Sequence, residues 1–221
     1  MKYISKLILT IVCLNPHFIC AQIQDISGYW EPILTEDFEM RTQGVKKGDF
    51  GGIDVNDAGR AAADAYTHDK GEDEWLFRKC GPHGPPRILF TDTRLHIRQD
   101  DQAITMELEA EGRTRTFSLT GKSSPATGLA WAGESQAHED GESLLTVITR
   151  NMQPGLLRDN GIPYSDLAVL TEHYTRHDDY FTVIVIVEDP LYLDEPFISS
   201  TSFRRIDQPD DWMMGNCNSE K

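Results

Sequence analysis

The chain has 221 residues, room for one domain and little more, and carries 36 acidic against 21 basic side chains for a net charge of −15. That balance excludes nucleic acid and anionic lipid as partners, because phosphate recognition needs clustered Lys and Arg. It says little about the fold.

Lys2 and Lys6, the apolar run Leu7 to Leu14 and a cleavage site closed by Ala21 read as a secretory signal peptide over residues 1–21. A lipoprotein reading would use Cys20, but His17, Phe18 and Ile19 before it are too bulky for that processing. Losing Lys2 and Lys6 takes the charge from −15 to −17 and leaves residues 22–221 as one β-rich domain, periplasmic or secreted. No later stretch approaches the roughly 20 apolar residues of a membrane-spanning helix.

Export also bears on the cysteines. Cys80 and Cys217 remain, and in an oxidising compartment they are expected to pair as one disulfide, with a nucleophilic thiol as the alternative. Closing a ring that long would contribute about 4 kcal/mol. A metal site would need further sulfurs or histidines at ligand spacing, so no metal is expected.

In chain order, Asp25 to Pro32 is a short strand with adjacent Tyr29 and Trp30, and residues 35–50 are loop. Asn56 or Asp57 caps a helix running to about Thr67, with Val55, Ala58, Ala62 and Tyr66 sharing its apolar face. The run Cys80-Gly-Pro-His-Gly-Pro-Pro-Arg87 is expected to be a stiff, irregular loop with His83 exposed. Three strands follow: Ile88 to Gln99, with Asp92 as a candidate break, Ala103 to Ala110, with Ile104, Met106 and Leu108 facing in, and Arg113 to Thr120. His96, Arg94 and Arg98 share a face expected to be solvated. Gly128 to Ser135 and Ser143 to Arg150 flank an Asp140-Gly141 turn, and residues 151–163 form a longer loop.

The most apolar segment is Tyr180 to Asp189. One strand face carries Phe181, Val183, Val185 and Val187, the other Tyr180, Thr182, Ile184 and Ile186. Both faces are greasy, so the strand is expected to be central, with something covering its outer side. Leu167 to Arg176 before it and Phe197 to Arg205 after it complete an antiparallel meander, turned at His177-Asp178-Asp179 and stopped at Pro190. Short strands, polar turns and one clear helix predict an all-β fold, an antiparallel barrel or sandwich.

The best chemical constellation is Tyr164, Asp166, Glu172 and His173. Glu172 lies between Leu170 and Tyr174 on its strand face, where an inward carboxylate must be paired or have its pKa raised. A raised pKa suits acid–base catalysis, with Tyr164 or Asp166 assisting; the structural alternative is an ion pair with Arg87, Arg115 or Arg204. His173 faces the other way, so it and Glu172 share a cavity only through a bulge. Trp30, Trp131, Tyr174 and Phe203 could line an apolar pocket or form core. No nucleophile elbow, phosphate loop or dinucleotide glycine pattern is present, and no cofactor is expected.

With these segments in view, the chain resembles a family of exported bacterial proteins of unassigned function. The likeness rests on Ser27-Gly28-Tyr29-Trp30, Gly59-Arg60-Ala61-Ala62, the Cys80 to Arg87 run, Asn160 to Asp166, Thr171-Glu172-His173-Tyr174, Glu188-Asp189-Pro190 and Cys217. The chain departs from that family's pattern at His138 and His173. The resemblance implies a lipocalin-like barrel, which does not by itself confer a function. Three readings follow: an exported protein binding a small apolar or aromatic molecule in a barrel cavity; an isomerase, cyclase or hydrolase using Glu172; or an envelope interaction module.

Overall fold

The computed structural model describes residues 25–35, 46–67, 83–121, 130–139 and 144–215. The signal-peptide residues, the Asp140-Gly141 turn, Cys80 and Cys217 lie outside them. The strands are β1 (Gly28–Pro32), β2 (Leu95–Gln99), β3 (Ala103–Leu108), β4 (Arg113–Ser118), β5 (Glu134–Glu139), β6 (Leu144–Arg150), β7 (Gly155–Leu156), β8 (Pro163–Tyr164), β9 (Val169–His177), β10 (Tyr180–Glu188) and β11 (Phe197–Ile206). The helices are α1 (Asp57–Ala65) and α2 (Pro85–Ile88). Among the described residues, no helix is long and apolar enough to cross a membrane.

Nine strands close a barrel in the order β1-β11-β10-β9-β6-β5-β4-β3-β2, with β2 returning to β1, while β7 and β8 pair separately. The fold is therefore the all-β barrel and not the sandwich. Every neighbouring pair is antiparallel except β4 and β5, which touch in parallel through Phe117–Ser135 and Ser118–Gln136. Following the strand directions, β1, β6 and β10 end, and β2, β9 and β11 begin, at the same end of the barrel, which the loops 151–168 and 189–196 cover. The other end has tight turns. Asp100 Oδ1 accepts from the Gln102 and Ala103 amides at 2.8 and 2.9 Å, and Asp178 takes a left-handed φ of 52°, which Asp tolerates better than most residues.

Phe181, Val183, Val185 and Val187 of β10 face inward and have no accessible surface. They meet Trp30 (centroids 4.8 Å from Phe181), Phe203 (4.9 Å, stacked) and Tyr174 (6.1 Å). Burying each such ring contributes about 2–3 kcal/mol. Ile104, Met106, Phe117, Leu145, Val147 and Leu170 of the other strands likewise have no accessible surface. The middle of this barrel is therefore packed core, filled by its own side chains.

Four expectations need correction. The outer face of β10 is not covered: Tyr180 is 49% exposed and Ile184 41%. β-branched side chains favour extended backbone on either face, so apolarity alone does not report burial. The strand expected from Ile88 begins only at Leu95, because Ile88 ends α2 and a turn follows. The loop expected through Arg87 contains α2, since Pro85 and Pro86 occupy first-turn positions where a missing N–H costs nothing. Finally, α1 is capped by Asn56 (Oδ1 accepts the Gly59 amide, 3.0 Å), but it buries Gly59 and Ala63 while Ala58 is exposed. The Tyr192 carbonyl lies 2.5 Å from where a Cβ on Gly59 would be, so this face is chosen by close approach and not by apolar period.

Candidate functional site

Two polar clusters stand out, one inside the barrel and one at its loop-covered end. Inside, β4 and β9 point Arg115 and Glu172 at each other, both with no exposed side-chain surface. Arg115 Nη1 donates to Glu172 Oε1 at 2.8 Å and Nη2 to Oε2 at 2.6 Å, a bidentate pair. Tyr174 Oη donates to Glu172 Oε1 at 3.0 Å, and Arg115 Nη2 reaches Thr149 Oγ1 (3.4 Å), which shares a hydrogen bond with Ser135 Oγ (2.8 Å). Burial opposes the charge on Arg115, but the Glu172 carboxylate outweighs it and holds the guanidinium above its ordinary value. Burial, reinforced by that same carboxylate, pushes the Tyr174 phenol well up. Both Glu172 oxygens are engaged and none of its surface is open, an arrangement that stabilises the wall more readily than it accepts a substrate proton.

At the loop-covered end, His83 lies before α2 and Asp159 lies between β7 and β8. His83 Nε2 and Asp159 Oδ1 are 2.8 Å apart, and Arg87 Nη2 donates to Asp159 Oδ2 at 3.2 Å. The side chains of His83 and Asp159 keep 15% and 18% exposure, that of Arg87 only 3%. Burial raises the Asp159 carboxyl, but the His83 hydrogen bond and the Arg87 charge outweigh it and hold the group below the usual carboxylate range. Trp131 Nε1 donates to the His83 carbonyl (3.1 Å), and the Arg113 guanidinium lies over the Trp131 ring at 4.3 Å. Tyr164 sits beneath, its hydroxyl notched between Gly84 and Gly155; burial pushes this phenol up, partly offset by Arg113 and Arg115.

The residues singled out from sequence are thus dispersed. Glu172, Tyr174, Trp30 and Phe203 belong to the packed interior, and the Trp30 indole donates to the Ile26 carbonyl at 3.0 Å. Tyr164 and Trp131 belong to the end cluster, and Asp166 is exposed on the loop before β9. His173 faces outward from β9, its Nδ1 2.8 Å from Thr146 Oγ1. Asp189 caps the turn after β10, accepting the Leu191 amide at 2.9 Å, and it also accepts from Ser165 Oγ at 2.8 Å. Among the described residues no cluster of metal-ligating groups occurs.

Sequence reasoning missed the His83–Asp159–Arg87 cluster. His83 is not an exposed loop histidine, because residues 151–163 fold back over it. The available signal was the pairing of two Gly/Pro-stiffened loops, each holding a titratable side chain. His96 is not freely solvated either: it stacks on Tyr29 (4.1 Å, 2° between planes) and pairs with Glu107 at 2.9 Å.

Comparison with known proteins adds no identity. No family model matches the chain, and no curated protein shows significant similarity to it.

The end cluster has a measurable pH signature. Folding depresses the Asp159 pKa, so its stabilisation is present above the ordinary value of about 3.9 and is lost as pH falls through the lower folded value. Thermal midpoints of the wild type and Asp159→Asn should therefore differ at neutral pH and draw together only as pH falls from about 4 through the lower folded value. A constant gap across that range would show that the carboxylate charge does not hold the loops.

Proposed function

We propose that this is an exported, lipocalin-like barrel that binds a small apolar or aromatic molecule at its loop-covered end. The observation that carries the reading is the part-exposed Trp131 indole beside His83 and Asp159, at the end of a barrel whose middle is filled. Such a site offers an apolar surface with a few fixed polar groups, the usual composition of a small-molecule seat. The Trp131 ring would carry the ligand's apolar part, and His83, oriented by Asp159, would meet its polar end. The basic, then apolar, N-terminal run and the motif likeness to exported bacterial proteins support export.

Mass spectrometry of the protein isolated from its native compartment tests this. A co-purifying small molecule is expected, absent from Trp131→Ala and His83→Ala preparations that keep the wild-type circular dichroism. A protein that is empty in every preparation counts against the reading. One observation favours a second reading, an acid–base enzyme: the 2.8 Å His83–Asp159 contact is the geometry in which a carboxylate orients a general base. In that case a bound molecule would be chemically converted by the wild type and retained unchanged by His83→Gln.

A further inference from the structure

Parity along β4 turns Arg113, Arg115 and Phe117 toward the barrel interior and leaves Thr114 and Thr116 exposed. Two successive inward positions are thus arginines. The deeper one, Arg115, is matched by the Glu172 carboxylate. Arg113 lies one layer higher, at the mouth of the loop-covered end, opposite Leu108 in the register. Trp131 ties it to the cluster there: the indole Nε1 donates to the His83 carbonyl, while the Arg113 guanidinium lies over the ring. Burial holds this guanidinium below its ordinary value, against the pull of Glu111 two residues back and of Tyr164. Tyr164 supplies no counter-charge, since burial keeps its phenol neutral. The remaining charges answer one another, with Asp159 accepting from Arg87 through Oδ2 and meeting His83 through Oδ1.

We propose, on the reading that this end seats a small molecule, that the molecule is a monocarboxylate: Arg113 holds its acid group and the part-exposed Trp131 indole carries its apolar body. A guanidinium presents parallel N–H groups in the fork that a planar carboxylate accepts. An anion beside Arg113 offsets the desolvation that burial imposes on it, which neither a neutral nor a cationic head group does. One negative charge is enough. Arg87 is already engaged by Asp159, so a doubly charged phosphate would bring one charge without a partner. The net charge of −15 repels anions from a distance, but physiological salt screens that field beyond about 8 Å, and the groups in contact decide.

Calorimetric titration of the full mature chain with 4-phenylbutyrate, 4-phenylbutyramide and phenyl phosphate tests this. The carboxylate should bind at least about 10-fold more tightly than the amide or the phosphate. Arg113→Met should weaken the carboxylate about 10-fold or more, and the amide no more than about 2-fold. The amide thus reports that the variant is folded, since a purely structural role for Arg113 would weaken both probes alike. Arg113→Lys should retain part of the preference, because the charge stays while the fork is lost. An amide or phosphate bound as tightly as the carboxylate, or a preference that survives Arg113→Met, overturns the proposal and leaves the small-molecule site in place. Absence of binding by every probe up to about 5 mM also overturns it. A molecule that co-purifies with the protein would then keep the site, whereas protein isolated empty would remove both.

Discussion

Glu172→Gln is expected to destabilise the protein by about 3–5 kcal/mol, the usual cost of leaving a fully buried partner charge uncompensated. For a domain of this size that is on the order of 10 °C in Tm. Glutamine preserves the shape but strips the negative charge from the bidentate contact with Arg115, whose guanidinium has no exposed surface. Tyr174 and Thr149 cannot replace it, because neither carries the opposing charge. Replacing both partners by leucine should recover most of the loss, since removing the charges together also removes their desolvation cost. Thermal unfolding of Glu172→Gln, Arg115→Leu and the Arg115→Leu/Glu172→Leu double variant provides the check. A single variant melting within a degree or two of the wild type would mean that Glu172 is not held for stability, and would return it to the list of acid–base candidates.

The second large effect lies at the loop-covered end. A Cβ on Gly84 would fall 1.7 Å from the Tyr164 hydroxyl oxygen and 2.8 Å from Cζ, while one on Gly155 would fall 2.7 Å from the same oxygen. The phenol is therefore gripped from two sides by backbone without side chains, and it is itself almost fully buried. Gly84→Ala is expected to cost about 1–3 kcal/mol as an overpacked contact, and to displace the adjacent His83 from Asp159. Tyr164→Phe removes the oxygen that clashes, so the double variant Gly84→Ala/Tyr164→Phe should be less destabilised than the two singles summed. Denaturant titration of all four proteins measures that coupling. Strict additivity would show that the notch does not confine the ring.

Much of the barrel wall was legible in residue order. Alternation in Ala103 to Leu108 named an inward face that is buried, period two in β10 grouped Phe181 with its valines on one face, and Asp178-Asp179 and Asn56 marked a turn and a helix start that occur there. These are local rules: period two, turn chemistry and capping act within a few residues, so a sequence displays them directly. Parity also set Glu172 on one face with Leu170 and Tyr174, and Arg115 was one of three partners that burial of that face would demand, but that the face turns inward came only from barrel closure.

What residue order could not decide was everything set by contacts far apart along the chain. It did not select Arg115 over the other arginines, since 57 residues separate the pair and only barrel closure brings β4 opposite β9. It did not bring His83 to Asp159, 76 residues on, or bury α1 through Gly59 and Ala63. Nor did it reveal that the second face of β10 lies open, because greasiness states what a side chain prefers and only the neighbouring strands determine what it meets. The sequence determined most of the strands and which side chains share a face; the closed tertiary structure alone decided which face turns inward and which residues meet, and so where the chemistry lies.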